Sequence, residues 1–247
     1  MRLRLSILLL AGIALASSLH AQEAAKIKGV VELFTAQGCA SCPPADAAFR
    51  KLIRQGDVVA LAYHVDYWNY LGWSDTMASK DNTARQYAYA RALGRSGVYT
   101  PQAVVNGRDH MNGADLNAIN VKLDSFQRSG EGLTIPVNAA MKDDELSIKI
   151  GAGQGKANVV VVYFDKEQMV APKGGENNGQ QIAYMHAVSD VETVGMWDGK
   201  AMNIVLPANV LDKAGRRGLA VLLQSSTPTG DPAAIIGATV LTIGSDG

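Results

Sequence analysis

VVELFTAQGCASCPPAD (residues 30–46) contains both cysteines of the chain and the junction on which its fold turns. It opens inside Lys28 to Phe34 (KGVVELF), a nearly unbroken run of apolar and β-branched residues. Such a run suits a central strand covered on both faces. After Gly38 comes Cys39-Ala40-Ser41-Cys42, and from Pro43 to Arg54 the residues Ala45, Ala48, Phe49, Leu52 and Ile53 recur at helical spacing until Gln55-Gly56 stops them. VVALAYHV (58–65) is a second buried-type strand. Strand, helix and strand of these lengths predict a βαβ unit with parallel strands.

Outward from this unit, Asp66 to Ala78 is irregular and aromatic, and a helix is expected from Asp81 to Leu93, closed by Gly94. Gln102 to Val105 reads as a short strand, and Asn106-Gly107 is a strong hairpin signal. Leu116, Ile119, Leu123 and Phe126 line one face of a further helix, and Ser129-Gly130-Glu131-Gly132 reads as a linker. Beyond it the pattern changes. Leu133–Ala139, Glu145–Ile150, Asn158–Phe164, Ile182–Val188, Met202–Leu206, Leu219–Leu223 and Ile235–Leu241 read as strands with no long amphipathic helix among them. The prediction is an α/β domain over 26–129 followed by a mainly antiparallel, sandwich-like β domain over 133–243.

At 247 residues, 47% hydrophobic and 19% charged, the chain can bury a sizeable core and is not a disordered or fibrous sequence. Basic and acidic residues balance at 23 each, and no Lys/Arg run exceeds Arg216-Arg217, which argues against nucleic-acid binding. Met1-Arg2-Leu3-Arg4, the apolar run Leu5 to Ala16 and the small residue Ala21 before Gln22 form a secretory signal peptide over 1–21. An uncleaved anchor is the alternative, although the run is short for a span. Cleavage leaves 21 basic against 23 acidic residues, a charge of −2, on a periplasmic or secreted protein in an oxidising compartment.

Cys39 and Cys42 lie between a strand and a helix start, where free N–H groups and the helix dipole favour thiolate over thiol. Cys39 is then expected as the exposed nucleophile, with Cys42 one turn on to resolve a mixed disulfide. Two other uses remain open. A structural disulfide is one, though so short a loop constrains little of the unfolded chain. A metal-holding pair is the other, though zinc normally takes four ligands and no second Cys pair exists.

A strand, a CxxC at a helix start, and Thr100-Pro101 before a short strand and an Asn-Gly turn resemble the thioredoxin fold. The resemblance implies that Pro101 is a cis proline packed on the CxxC and that the Thr100 backbone binds the substrate chain. VVELFTAQGCASCPPAD (30–46), LAYHVDYWNYLGW (61–73), GVYTPQAVVNGR (97–108) and GENNG (175–179) are similar more closely to an exported thioredoxin-like family, domain of unknown function 1223. That family brings little established activity. Two features depart from ordinary thioredoxin: Pro43-Pro44 directly after the second cysteine, and an inserted segment, 66–97, that can cap the site and narrow its substrates.

The resemblance also sets Glu32 near the buried acid of thioredoxins, as a general base for the resolving thiol; a strand-end pairing with Lys26 or Lys28 is the alternative. His64, with Asp66 at the end of the second strand, could steady a thiolate or be satisfied by a carbonyl. Tyr63, Tyr67, Trp68, Tyr70 and Trp73 gather five of the 15 aromatics into one short stretch, so Tyr67 and Trp68 are candidate substrate contacts or the core of the insertion. His110-Met111 and Met185-His186 carry soft ligands that suit copper, but neighbours on a strand face opposite ways, so no metal is assigned. GENNG reads as a turn, or as a loop packed across the CxxC from the second domain. No phosphate loop or dinucleotide fingerprint appears, so no cofactor is expected. The expected function is exported thiol–disulfide exchange with a disulfide or dithiol substrate protein and a separate redox partner. Its rival is a non-catalytic exported binding module.

Overall fold

The computed structural model describes residues 27–142, 145–207 and 218–242; the signal peptide expected over 1–21 lies outside them. Strands β1 (Gly29–Thr35) and β2 (Val58–His64) are buried at every position. They pair in parallel from Gly29↔Val58 to Thr35↔His64. Helix α1 (Pro43–Gln55) crosses between them, with prolines in the first turn, where a missing amide costs no helical bond, and left-handed Gly56 as its cap. Its Ala45, Phe49 and Leu52 pack on Val31, Leu33, Val58 and Ala60. Burying a Phe or Leu of this kind contributes about 1.5–3 kcal/mol each.

Helix α2 (Lys80–Ala92) covers the other face of this pair; the Ser79 side chain caps it by accepting from the Asn82 amide. β3 (Gln102–Val105) runs antiparallel to β1 and joins β4 (Asp109–Asn112) through three residues, Asn106 to Arg108; Asn106 and Gly107 sit at positive φ in the turn that the Arg108 amide closes on Val105 O. Gly107 also lies against the carbonyl of Ala233, which leaves no room for a Cβ. α3 (Leu116–Ser129) buries Ile119, Leu123 and Phe126 beside α1.

The second half adds β5 (Val137–Lys142), β6 (Glu145–Ile150), β7 (Ala157–Val170), β8 (Ile182–Trp197), β9 (Met202–Pro207), β10 (Gly218–Ser226) and β11 (Pro232–Thr242). The protein is thus mixed α/β, with a large, mainly antiparallel sheet ordered β11-β10-β7-β8-β2-β1-β3-β4 and a small sheet ordered β5-β6-β9. The small sheet packs Val137, Leu146, Ile148 and Ile150 onto Val159, Val161, Leu219, Val221 and Leu223. The alternate residues Val160, Val162, Ala220 and Leu222 join the opposite core with Tyr63 and Tyr89. Burial on both faces explains why β7 reads as an unbroken apolar run. The seam between the halves of the large sheet is narrow, a parallel β2–β8 contact registered at Ala62↔Ala187.

One difference from the sequence reading matters for the site. β7 does not stop at Phe164: Asp165, Glu167 and Gln168 still pair with β8, in a register that ends at Val170↔Ile182. Their polarity reads as loop, but the hairpin's outer end is partly exposed, and a polar strand is stable there. This long hairpin carries the connection 171–181 back to the cysteines. No helix among the described residues is long and apolar enough to cross a membrane.

Candidate functional site

Cys39 and Cys42 form a disulfide with Cα atoms 5.4 Å apart. The Cys39 amide donates to Ala36 O and that of Cys42 to Cys39 O, and Cys42 is the N-cap of α1. The expectation of an exposed Cys39 is not met: both cysteines are fully buried. Three elements cover them. Thr100 Oγ1 donates to Cys39 Sγ at 3.3 Å, and Trp68 Nε1 in turn donates to Thr100 Oγ1 at 2.8 Å. Ser41 Oγ lies 3.4 Å from Cys39 Sγ and donates to the Thr100 carbonyl. The third is GENNG, packed across the CxxC from the second half of the chain. Asn177 Nδ2 donates to both Gln37 O and Cys39 O at 2.9 Å, and Glu176 Oε2 accepts from the Ala40 amide at 3.0 Å. Gly174 lies against the Gly72 carbonyl closely enough to exclude a Cβ, and the Gly175 amide donates to Leu71 O.

The buried Asn177 amide is a natural clamp, since one NH₂ donates at once to two turn carbonyls on either side of Gly38. Asn177→Ala leaves Gln37 O without that donor and Cys39 O with the Cys42 amide alone, at about 1–3 kcal/mol. If that energy holds the loop down, Cys39 of the reduced variant will alkylate at least about tenfold faster than wild type in native buffer, since 1.4 kcal/mol is a factor of ten. Equal native rates would show that the reagent enters without displacing this loop.

The Thr100–Pro101 peptide bond is cis. Thr100 is brought to the disulfide with Pro101 next to it in the chain, and Trp68 reaches it through Thr100, whereas the Tyr67 hydroxyl is bonded to Gln86. The Tyr67 hydroxyl donates to Gln86 Oε1, whose amide nitrogen donates to Tyr99 O and Gln102 Oε1, and burial pushes the phenol up to about 12. Tyr67 thus braces the inserted segment, whereas exposed Tyr70 stacks on Trp68 beside the site.

Glu32 is not brought to the cysteines. Strand alternation puts it with Val30 and Phe34 on the α2 face of β1. There Arg85 Nε donates to Glu32 Oε1 at 2.8 Å, and the Tyr89 hydroxyl donates to Oε2. Arg85 Nη2 continues the network to Gln224 Oε1, and its guanidinium stacks over Tyr63 and Tyr89. Burial works against the Arg85 cation, but Glu32 together with Tyr63 and Tyr89 outweighs it and holds the group above its usual range. The partner is thus Arg85 and not Lys28, which pairs with Asp57; Lys26 lies outside the described residues.

His64 does not face a substrate either. Fully buried, its Nδ1 lies 2.8 Å from Asp75 Oδ2, and Asp75 also accepts from the amides of Gln37 and Met77. Burial alone would raise the Asp75 carboxyl, but His64 and those amides hold it below the usual range. Across the sheet register from His64, Thr35 Oγ1 donates to Asp46 Oδ1 at 2.9 Å. Burial pushes the Asp46 carboxyl up to about 7 against the opposing pull of His64 and Thr35. Sequence reasoning missed Asp46 and Asp75. Asp46 stood in the quoted stretch, but an acid in a first helical turn ordinarily reads as a dipole partner. Asp75 lies in a segment with no period.

No group of three or more His, Cys, Asp or Glu among the described residues is arranged to hold a metal. His110 Nδ1 meets the Tyr99 hydroxyl, and His186 Nδ1 meets Ala60 O, so the two His-Met pairs serve separate contacts.

No curated protein matches the chain. Among solved structures it is similar to a protein of Agrobacterium tumefaciens determined by crystallography. That likeness has 58% identity over 92% of this chain and 98% of that one, with a TM-score of 0.84. It is also similar to HBP35 of Porphyromonas gingivalis, at 16% identity over 89% of this chain and 76% of that one, with a TM-score of 0.59; this speaks to the fold alone. The family model described as protein of unknown function (DUF1223) matches residues 30–224, more than half of the sequence, and the chain belongs to that family.

Proposed function

We propose that the protein is an exported thiol–disulfide oxidoreductase whose first domain, 26–129, has a thioredoxin-like architecture and whose second, 133–243, carries the cover of the site. The observation that carries this reading is the Cys39–Cys42 disulfide at the N-terminus of α1, beside a cis Thr100–Pro101 bond. The strand order β2-β1-β3-β4, with β1 and β2 parallel around α1 and β3 and β4 antiparallel, supports the architecture. In the reduced protein, the α1 dipole and the Thr100 hydroxyl, which donates to Cys39 Sγ, favour the Cys39 thiolate. Cys39 attacks a substrate disulfide and Cys42 resolves the product, with Thr100 and Pro101 presenting the substrate chain. Access to Cys39 requires the segment around Glu176 and Asn177 to lift. This restricts substrates to those that can take its place on Ala40 N and Cys39 O. The signal peptide over 1–21 puts the reaction in the periplasm or outside the cell, with a separate redox partner completing the cycle.

Full burial of both sulfurs favours a second reading, a binding module stapled by a permanent disulfide. Cys42→Ser separates the two. An exchange enzyme reduced and returned to its own extract accumulates disulfide-linked adducts through Cys39, seen as bands that collapse on reduction and are absent from Cys39→Ser/Cys42→Ser. A binding module yields none, and its wild-type pair has a potential below about −300 mV.

A further inference from the structure

Beneath the CxxC lies a buried polar cluster that the exchange reading does not use. α1 contributes Asp46 and, at its edge, Arg50; β1 contributes Thr35; β2 His64; the segment after Trp73 contributes Asp75; and β8 contributes Tyr184. Three buried atoms in it find no hydrogen-bond partner among the described residues: Asp46 Oδ2, His64 Nε2 and the Tyr184 hydroxyl. They share one neighbourhood. The Tyr184 ring stands edge-on to His64 with centroids 4.8 Å apart, the carboxylates of Asp46 and Asp75 add to the burial that raises its phenol, and His64 acts on Asp46.

Buried unpaired polar atoms cost about 1–3 kcal/mol each, so three together call for a function. Asp46 also has a fixed relation to Cys42. Its amide donates to the Cys42 carbonyl at 3.0 Å, and Cys42 has helical φ and ψ, so the two side chains stand one turn apart on the same side of α1. Glu32, by contrast, is committed to Arg85 and Tyr89 on the opposite face of β1.

We propose that Asp46, steadied by Thr35 and backed by the His64–Asp75 pair, is the proton acceptor for the Cys42 thiol. This rests on the exchange reading above. The step balances. Cys39 thiolate attacks a substrate disulfide, forms a Cys39–substrate disulfide and expels one substrate thiolate. Cys42 then gives its proton to Asp46, and its thiolate attacks Cys39 Sγ. The internal disulfide re-forms and the second substrate thiolate leaves. Two electrons pass from the protein dithiol to the substrate disulfide, and the proton stays on Asp46 until the next reduction returns it to Cys42. A carboxyl titrating about 7 can accept this proton at neutral pH and return it when the disulfide is reduced.

The test mixes reduced protein with the aromatic disulfide dithiobis(nitrobenzoate) and follows thionitrobenzoate release by stopped flow from pH 5 to 10. The first equivalent reports attack by Cys39, the second resolution by Cys42. Asp46→Asn is expected to leave the first phase within about twofold and to slow the second about a hundredfold near neutrality. Its pH midpoint should move toward that of an ordinary thiol, about 8.5. Thr35→Val keeps the carboxyl but removes a hydroxyl that favours its ionised form; its second phase should shift midpoint upward at an unchanged plateau. A second phase of wild-type rate and pH profile in Asp46→Asn overturns the assignment while leaving the exchange reading intact. A wild type that releases no second equivalent overturns that reading itself.

Discussion

Arg85→Met is expected to destabilise the protein by about 3–5 kcal/mol, the cost of breaking a buried ion pair from one side. Glu32 is fully buried in β1, and Arg85 is the cation that compensates it. The same guanidinium holds Gln224 in β10 and lies over two tyrosine rings, so one side chain ties α2 to both halves of the large sheet. Without it the Glu32 carboxylate must ionise in an apolar core or take up a proton. The double variant Glu32→Gln/Arg85→Met removes both charges and keeps an acceptor for the Tyr89 hydroxyl, so it should recover most of the loss. Urea midpoints of wild type, both single variants and the double form the cycle. A loss under about 1 kcal/mol for Arg85→Met would mean that water reaches Glu32.

The second large effect is a pH dependence with an unusual sign. Asp46 has its folded-state pKa raised from 3.8 to about 7. Between about pH 4 and pH 7 the folded protein holds a proton that the unfolded chain has released. Stability therefore falls as pH rises through that window and levels off above it. At 1.36 kcal/mol per unit, the loss is on the order of 4 kcal/mol. Asp75, whose pKa is lowered, acts in the opposite sense, its contribution being lost only as pH falls below the ordinary carboxylate range. Asp46→Asn, which still accepts from Thr35, should abolish the decline and be the more stable protein at pH 8. Urea titrations at pH 5, 6.5 and 8 check this; parallel pH profiles for the two proteins would show that Asp46 is not the buried acid responsible.

The parallel βαβ unit was legible because its apolar runs and its Pro-rich helix start are local signals, and β1, α1 and β2 follow them within a residue or two. The Asn106-Gly107 hairpin was legible for the same reason. Thr100-Pro101 could be tied to the cysteines only through resemblance, because no spacing rule links residues so far apart. What stayed hidden is long-range polar pairing. Arg85 meets Glu32, Asn177 meets Cys39 and Asp46 lies near His64 because strands and helices from distant parts of the chain converge, and no periodicity encodes such meetings. The exposed Cys39 was the clearest miss: a helix-start cysteine has no local signal that a hairpin tip more than a hundred residues on will cover it.

The narrow β2–β8 seam bears on how the chain can be divided. A fragment ending at Ser129 would keep every residue of the cysteine motif but lose its roof, and β2 would become a bare border strand with unpaired amides and carbonyls. Such a piece would keep Thr100 and Trp68 beside the disulfide but lack the loop of Glu176 and Asn177, and would stick to other chains by its raw edge. Reactivity measured on it would describe the fragment, because in this protein the loop that closes over the sulfurs comes from the other half of the polypeptide.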